Sequence, residues 1–285
     1  MNGPLSVEGL GKVYPGFALG PLGFDLEPGK ITGFIGRNGA GKTTTLHAVV
    51  GFLRPAHGTV RFWGQPLEGH EAELRQRIGF VSAGMRFYQR QSLKRITDTL
   101  RPFYDRWDET AYERYMRRFA LDERKTPEKL SNGMQLKYLL CLALSHGAEL
   151  LLLDEPTSGL DPVSRTEVLE TLLTLRDAGC TVLFSTHITS DLEKTADRIL
   201  YLSRGQLRAD CELDAFTAAW RLFRGTAAEV EALPPGLVHG RRREREGVSA
   251  LLRREDAAAL GLRCEQAGLE DVMVHLEQEA DEHDA

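Results

Sequence analysis

Short apolar runs and helically spaced apolar positions alternate along the chain, and together they predict its elements. Residues 6–13 and 22–26 read as short strands, and after a turn at Gly29-Lys30 the run 31–35 is compact and β-rich. A glycine-rich loop follows. From Gly41 to about Phe52 the spacing is helical, until Arg54-Pro55-Ala56-His57-Gly58 stops it and 59–63 resumes as strand. Residues 78–82 form another strand. Between Gln89 and Gly147 helix dominates, and Tyr112, Tyr115, Met116 and Phe119 fall on one helical face. Residues 150–153 and 181–185 are continuous apolar runs of the kind buried on both faces of a parallel sheet, joined by a helix over 164–178. Strand, helix and strand in that order imply an α/β centre with right-handed crossovers.

Beyond Asp197 the pattern thins. Residues 199–202 and 206–209 flank Ser203-Arg204-Gly205 as a hairpin, a helix is expected over 213–220, and Pro234-Pro235-Gly236 marks a break. The mixed-sign run Arg241-Arg242-Arg243-Glu244-Arg245-Glu246 reads either as a solvated face or as a nucleic-acid or headgroup patch. The acidic tail after Glu277 is expected to fray.

Composition narrows the class. With 285 residues and 36 Lys+Arg against 41 Asp+Glu, the net charge of −5 argues against a predominantly electrostatic nucleic-acid binder. Hydrophobic residues at 42% and charged residues at 27% match ordinary soluble domains. The longest apolar stretches, 139–144 and 150–153, fall far short of the roughly 18 residues of a membrane span. The start Met1-Asn2-Gly3-Pro4 lacks the basic opening of a secretory signal, so a cytosolic chain is expected. Cys141, Cys180, Cys211 and Cys264 include no close metal-binding pair and read as reduced thiols.

The sharpest chemical signal is Gly36-Arg37-Asn38-Gly39-Ala40-Gly41-Lys42-Thr43, a phosphate-loop pattern set between a strand and a helix. Glycines let the backbone curl so that successive N–H groups point at an anion, and the following helix adds its positive end. Lys42 supplies a charge to the β- and γ-phosphates and Thr43 a hydroxyl ligand for Mg²⁺. A second signal is Leu150-Leu151-Leu152-Leu153-Asp154-Glu155. A buried strand ending in two acids puts Asp154 at the carboxyl end of the sheet, where it can hold Mg²⁺, and Glu155 next to the γ-phosphate, where it can orient water.

Leu130-Ser131-Asn132-Gly133-Met134 precedes this strand, and Asp154-Glu155-Pro156-Thr157-Ser158-Gly159-Leu160-Asp161-Pro162 and Ser185-Thr186-His187 follow in order. With the phosphate loop, these motifs resemble the nucleotide-binding domain of the ATP-binding cassette (ABC) family over roughly residues 5–210. The resemblance implies a P-loop NTPase fold over 1–210 with an N-terminal antiparallel β subdomain, a helical subdomain at about 86–148, and a C-terminal accessory region at 211–285. It implies a nucleotide cradle of Gly36, Asn38, Gly39, Ala40, Gly41, Lys42, Thr43 and Thr44, with Tyr14 stacking on adenine. Ser131 and Gly133 match the signature motif, Ser131 capping a helix whose start faces the γ-phosphate of a second subunit. Asp161 matches the loop linking the two composite sites, and His187 the switch histidine beside Glu155. Lys42, Glu155 and His187 are then the catalytic set, and Thr43 and Asp154 the metal ligands.

The implied protein is an ATPase subunit of an exporter. It would be a homodimer or heterodimer with another cassette, bind Mg²⁺ and ATP, pair with a separately encoded integral-membrane permease, and sit on the inner face of the plasma membrane without nucleic acid. The segment Phe103-Tyr104-Asp105-Arg106-Trp107-Asp108 is similar to bacterial export cassettes, some tied to drug or antibiotic efflux. Phe87, Tyr88, Phe103, Tyr104 and Trp107 would meet the permease or else fill the insertion's own core. Residues 268–276 resemble the short closing helix of export cassettes. Two positions depart from the family: Asn132 and Met134 stand where many members have Gly and Gln, and Ala83 stands where a glutamine usually meets Mg²⁺ and water. Gln89 and Gln91 are out of register to replace it. Two other classes remain: a soluble cassette protein of DNA repair, chromosome maintenance or translation, and a phosphate-loop kinase of a small metabolite.

Overall fold

A computed structural model describes residues 3–82 and 88–283. Their contacts divide into two compact units, Met1–His187 with Lys194–Asp210 and Ile188–Glu193 with Cys211–Ala285. In the first, β1 (Ser6–Tyr14) and β2 (Phe17–Asp25) pair antiparallel. The second strand begins well before the expected residue 22. Gly20-Pro21 masks its alternation, and β2 tolerates the proline because it is an edge strand. β3 (Ile31–Ile35) leads through the glycine loop into α1 (Lys42–Val49), and β4 (His57–Phe62) and β5 (Gln65–Pro66) complete an antiparallel sheet in the order β2-β1-β4-β5. α2 (Glu71–Arg75) and β6 (Ile78–Ser82) follow.

The expected helical section contains α3 (Leu93–Leu100), α4 (Glu109–Arg118) and α5 (Asn132–Ser145). Ser92, Asp108 and Ser131 cap them, each accepting an N–H of the first turn. A buried hydroxyl chain joins all three helices: Thr97 Oγ1 lies 3.1 Å from the Tyr112 hydroxyl and 2.9 Å from that of Tyr138, which donates to Leu93 O at 2.9 Å. Burial pushes both tyrosines well above their ordinary pKa. Gln76 fastens the section to the core, its amide donating to Phe103 O at 2.8 Å and accepting the Asp105 N–H at 3.0 Å.

β7 (Leu150–Asp154), α6 (Pro162–Asp177), β8 (Thr181–Thr186), α7 (Thr189–Thr195), β9 (Arg198–Ser203) and β10 (Gln206–Glu212) follow. The central sheet runs β10-β9-β3-β8-β7-β6, with β9, β3, β8, β7 and β6 parallel. β3, β7 and β8 are buried along their whole length, as continuous apolar runs require. The register sets Ser82 beside Asp154 and Asp154 beside Ser185 at the carboxyl ends of three strands. Among the described residues no helix is long and apolar enough to cross a membrane.

The second unit carries α8 (Leu213–Ala218), β11 (Trp220–Gly225), α9 (Ala227–Glu231), β12 (Arg241–Glu244), β13 (Gly247–Arg253), α10 (Arg254–Ala259), β14 (Glu265–Gln266) and α11 (Leu269–His283). Its sheet runs β12-β13-β11-β14. The helix expected to reach Trp220 stops at Ala218, because Trp220 and Leu222 are buried at alternate positions of a strand. The arginine run is an edge strand with Arg241 and Arg243 exposed and Arg242 and Glu244 half-buried, the charged edge that discourages further strand pairing. The tail expected to fray after Glu277 continues as helix through His283.

Candidate active site

The loop from Gly36 to Gly41 turns sharply between β3 and α1. A Cβ on Gly36 would lie 2.2 Å from Leu202 O, so no larger residue fits. Gly41 adopts φ +111 and leaves the start of α1 with no side-chain cap, so its first N–H groups are available to an anion. Ala40 is buried, its N–H donating to Arg37 O at 3.1 Å and its carbonyl accepting from Gly205. Lys42 is buried, an arrangement tolerated only with partners. Its Nζ donates to Gly36 O at 2.7 Å and Arg37 O at 3.3 Å and lies 3.4 Å from Glu155 Oε1.

Asp154 ends β7 with 4% of its surface exposed. Three hydroxyls donate to its carboxylate: Ser185 at 2.7 Å, Thr43 at 3.1 Å and Ser82 at 3.3 Å. Glu155 has φ +51, a left-handed conformation costing a non-glycine residue about 1–2 kcal/mol. Its N–H is held by Ser185 twice, by the carbonyl at 3.1 Å and by Oγ at 2.9 Å. Its Oε2 lies 2.8 Å from His187 Nδ1. A carboxylate only accepts, so the proton of this bond sits on Nδ1. Glu155 is therefore fixed between an ammonium and an imidazole.

Lys42, Thr43, Glu155 and His187 border a cleft of about 400 Å³ lined also by Tyr14, Asn38, Gly39, Gly41 and Thr44, whereas Gly36, Ala40 and Asp154 lie outside its lining, Asp154 joined to it through its bond with Thr43. The structure adds Phe17 and Ser158 to the lining, with the Phe17 ring centroid 6.5 Å from that of Tyr14. Sequence reasoning missed Phe17, Ser158, Ser82 and Ser185. The first follows Tyr14 closely, and Ser158 and Ser185 lie inside motifs already picked out. The contacts of Ser82 and Ser185 depend on strand order, which no local pattern carries.

Three expected residues gather elsewhere. Ser131 caps α5 by accepting the Met134 N–H at 3.3 Å, and Asp161 caps α6 by accepting from Val163 and Ser164 at 3.0 Å. Those hydrogen bonds hold the Asp161 carboxyl below its ordinary pKa. A Cβ on Gly133 would come within 3.2 Å of Ser164, so the starts of α5 and α6 are in contact. None of the three lines the cleft. Ala83 and Phe87 lie outside the described residues.

The donor set suits a hard cation bound with a polyphosphate. Thr43 and Asp154 offer oxygen ligands at the mouth of an anion-accepting helix, and Mg²⁺ commonly takes one or two protein oxygens and completes its shell with phosphates and water. Among the described residues there is no group of three His, Cys, Asp or Glu able to hold a metal without them. All four cysteines are free, and burial pushes the thiols of Cys141 and Cys180 up to about 12.

Residues 19–158 match the family profile described as ABC transporter. The chain is 32% identical over 190 residues to the ABC transporter ATP-binding protein YtrB of Bacillus subtilis, covering 66% of this chain and 65% of that one. It is 33% identical over 197 residues to the Nod factor export ATP-binding protein I of Burkholderia lata, covering 66% and 64%. The match thus spans just under two thirds of these relatives' length. A solved ATP-binding subunit of an ABC transporter superposes with a TM-score of 0.67 at 28% identity, over 74% of this chain and 90% of that one. The phosphate loop, the acid-tipped strand and these likenesses identify residues 19–158 as an ATP-binding domain of the ABC transporter type.

Proposed function

We propose that the chain binds Mg-ATP and hydrolyses it as the energising subunit of an exporter, working as a homodimer or heterodimer of cassettes with a separate membrane permease. The observation that carries this reading is the convergence of Lys42, Thr43, Glu155 and His187 on one cleft from a helix start and two strand ends, with the buried Asp154 carboxylate held behind it by Thr43. Tyr14 and Phe17 offer aromatic faces for a base at its outer end, and the uncapped start of α1 receives phosphates. Thr43 and Asp154 would hold Mg²⁺, which when bound neutralises phosphate charge. Lys42, freed from Gly36 O, would steady the γ-phosphate. Glu155 orients and deprotonates the attacking water, and His187 fixes the Glu155 carboxylate through Nδ1. A carboxylate aimed at water favours hydrolysis over transfer to a metabolite hydroxyl.

Because Ser131, Gly133 and Asp161 lie outside the cleft of their own chain, we read them as the surface that completes a second chain's site. Closure on ATP and release after hydrolysis then form a population shift driven by contacts to the γ-phosphate. The permease would meet a groove of about 240 Å³ bordered by Phe52, Phe80, Arg75 and Tyr104, with Phe52 60% exposed and Phe103 close by at 70%. Tyr104 stacks on His146 and Trp107 packs on Tyr112, so these two serve the insertion's own packing. The relatives named for transport and for export support the reading of an exporter at the inner membrane face, and the charge of −5 supports independence of nucleic acid.

The test is Glu155→Gln, which keeps size and hydrogen-bonding oxygen but removes the base. It is expected to bind ATP, to lose phosphate release by at least about a hundredfold, and to elute as a dimer only with Mg-ATP. A variant that stays monomeric with bound ATP would refute the composite site, and one with unchanged turnover would refute the role of Glu155.

A further inference from the structure

Ser185 lies one residue before the end of β8 and is fully buried. Parallel register sets it beside Asp154. Its hydroxyl is shared between two consecutive residues with different tasks: Oγ donates to Asp154 Oδ1 at 2.7 Å and accepts the Glu155 N–H at 2.9 Å. A side chain needed only to fill this position could be apolar, as Phe184 before it is, because burying a hydroxyl costs free energy unless it is fully bonded. Here Asp154 and Glu155 satisfy it. The same bond restrains the left-handed φ of Glu155, a conformation that persists only where the surroundings over-determine it.

We propose that Ser185 is a positioning residue for hydrolysis: its hydroxyl locks the Asp154 carboxylate and the Glu155 backbone into one register, a role that rests on the ATPase reading above. It does not itself line the cleft, and it acts through these two neighbours, of which Glu155 does. Without it the Asp154 carboxylate is left to Thr43 and Ser82, the weaker and longer of its three contacts. Glu155 keeps one bond to its N–H in place of two, and its carboxylate loosens from His187 and Lys42. The nucleotide cradle between β3 and α1 is unchanged, so turnover should fall while affinity holds.

The test compares the full wild-type chain with Ser185→Ala, Ser185→Thr and the Glu155→Gln reference. Phosphate release gives kcat and KM, a fluorescent ATP analogue gives affinity, and hydrogen exchange at the Glu155 amide is followed without nucleotide. Ser185→Ala is expected to lower kcat about ten- to hundredfold, with KM and analogue affinity within about threefold of wild type, and to speed Glu155 exchange about tenfold or more. Ser185→Thr, which keeps a hydroxyl, is expected to recover both. The proposal is overturned if Ser185→Ala leaves kcat and exchange within about twofold of wild type, or if affinity and turnover fall together and Thr rescues neither. A wild type releasing no more phosphate than Glu155→Gln would defeat the ATPase reading itself, and the exchange comparison would then decide the role of Ser185 alone.

Discussion

Replacing Thr97 by valine removes one hydroxyl from the centre of the α3–α4–α5 junction and changes almost nothing in volume. Thr97 is buried, and its Oγ1 meets both the Tyr112 and the Tyr138 hydroxyls. Two contacts are lost at about 1 kcal/mol each, and the two ring hydroxyls stay in place with fewer partners, so the expected cost is about 2–3 kcal/mol. Tyr138→Phe removes the hydroxyl that also donates to Leu93 O, and is expected to cost about the same. Because the two changes share one bond, the double variant should fall short of the summed costs by about 1 kcal/mol. Urea unfolding of the full chain, followed by hydrogen exchange resolved to α5, measures this directly. A cost below about 0.5 kcal/mol for Thr97→Val, or strict additivity in the cycle, would refute a cooperative hydroxyl chain as the fastening of these helices.

Gly36→Ala places a methyl 2.2 Å from Leu202 O and should abolish binding of a fluorescent ATP analogue while the second unit keeps its hydrogen-exchange protection. Ser131→Ala removes the α5 cap, costing about 1 kcal/mol of stability. It should leave ATP binding by the lone chain intact while weakening Mg-ATP-dependent dimer formation, read by sedimentation. Burial holds His146 below its ordinary value of 6.5, so the unfolded chain binds the proton more readily. Its contribution to stability is complete above about pH 6.5 and is lost as pH falls through that value toward the folded one, at no more than about 1.4 kcal/mol per pH unit. His146→Gln should flatten that acid slope in thermal unfolding between about pH 7 and 5, and an unchanged slope would show that other groups produce it.

What could be read in advance was whatever lies contiguous in the chain. The phosphate loop and the four leucines before Asp154 each advertise their chemistry within a few residues, whereas the role expected of His187 rests on family resemblance. The hairpin around Arg204-Gly205 was legible for the same reason. What escaped depends on pairing between distant segments. Ser82 and Ser185 acquire meaning only when β6, β7 and β8 lie side by side. The sheet of the second unit joins four short strands, and β14, with two residues, is too brief to leave a period. Arg241–Glu244 has the composition of a solvated turn, and only its pairing with β13 makes it a strand. The early start of β2 was hidden by Gly20-Pro21, which breaks alternation without breaking the strand.

The contact between the starts of α5 and α6 brings two positive helix poles together, like the same ends of two bar magnets. Asp161 answers one of them with a full negative charge, whereas Ser131 answers the other with a neutral hydroxyl. The joint is thus left electrostatically under-neutralised on the α5 side, and an arriving polyanion is rewarded there for a repulsion the solitary chain has to bear. The Mg-ATP-dependent association proposed at this surface should accordingly strengthen as ionic strength falls.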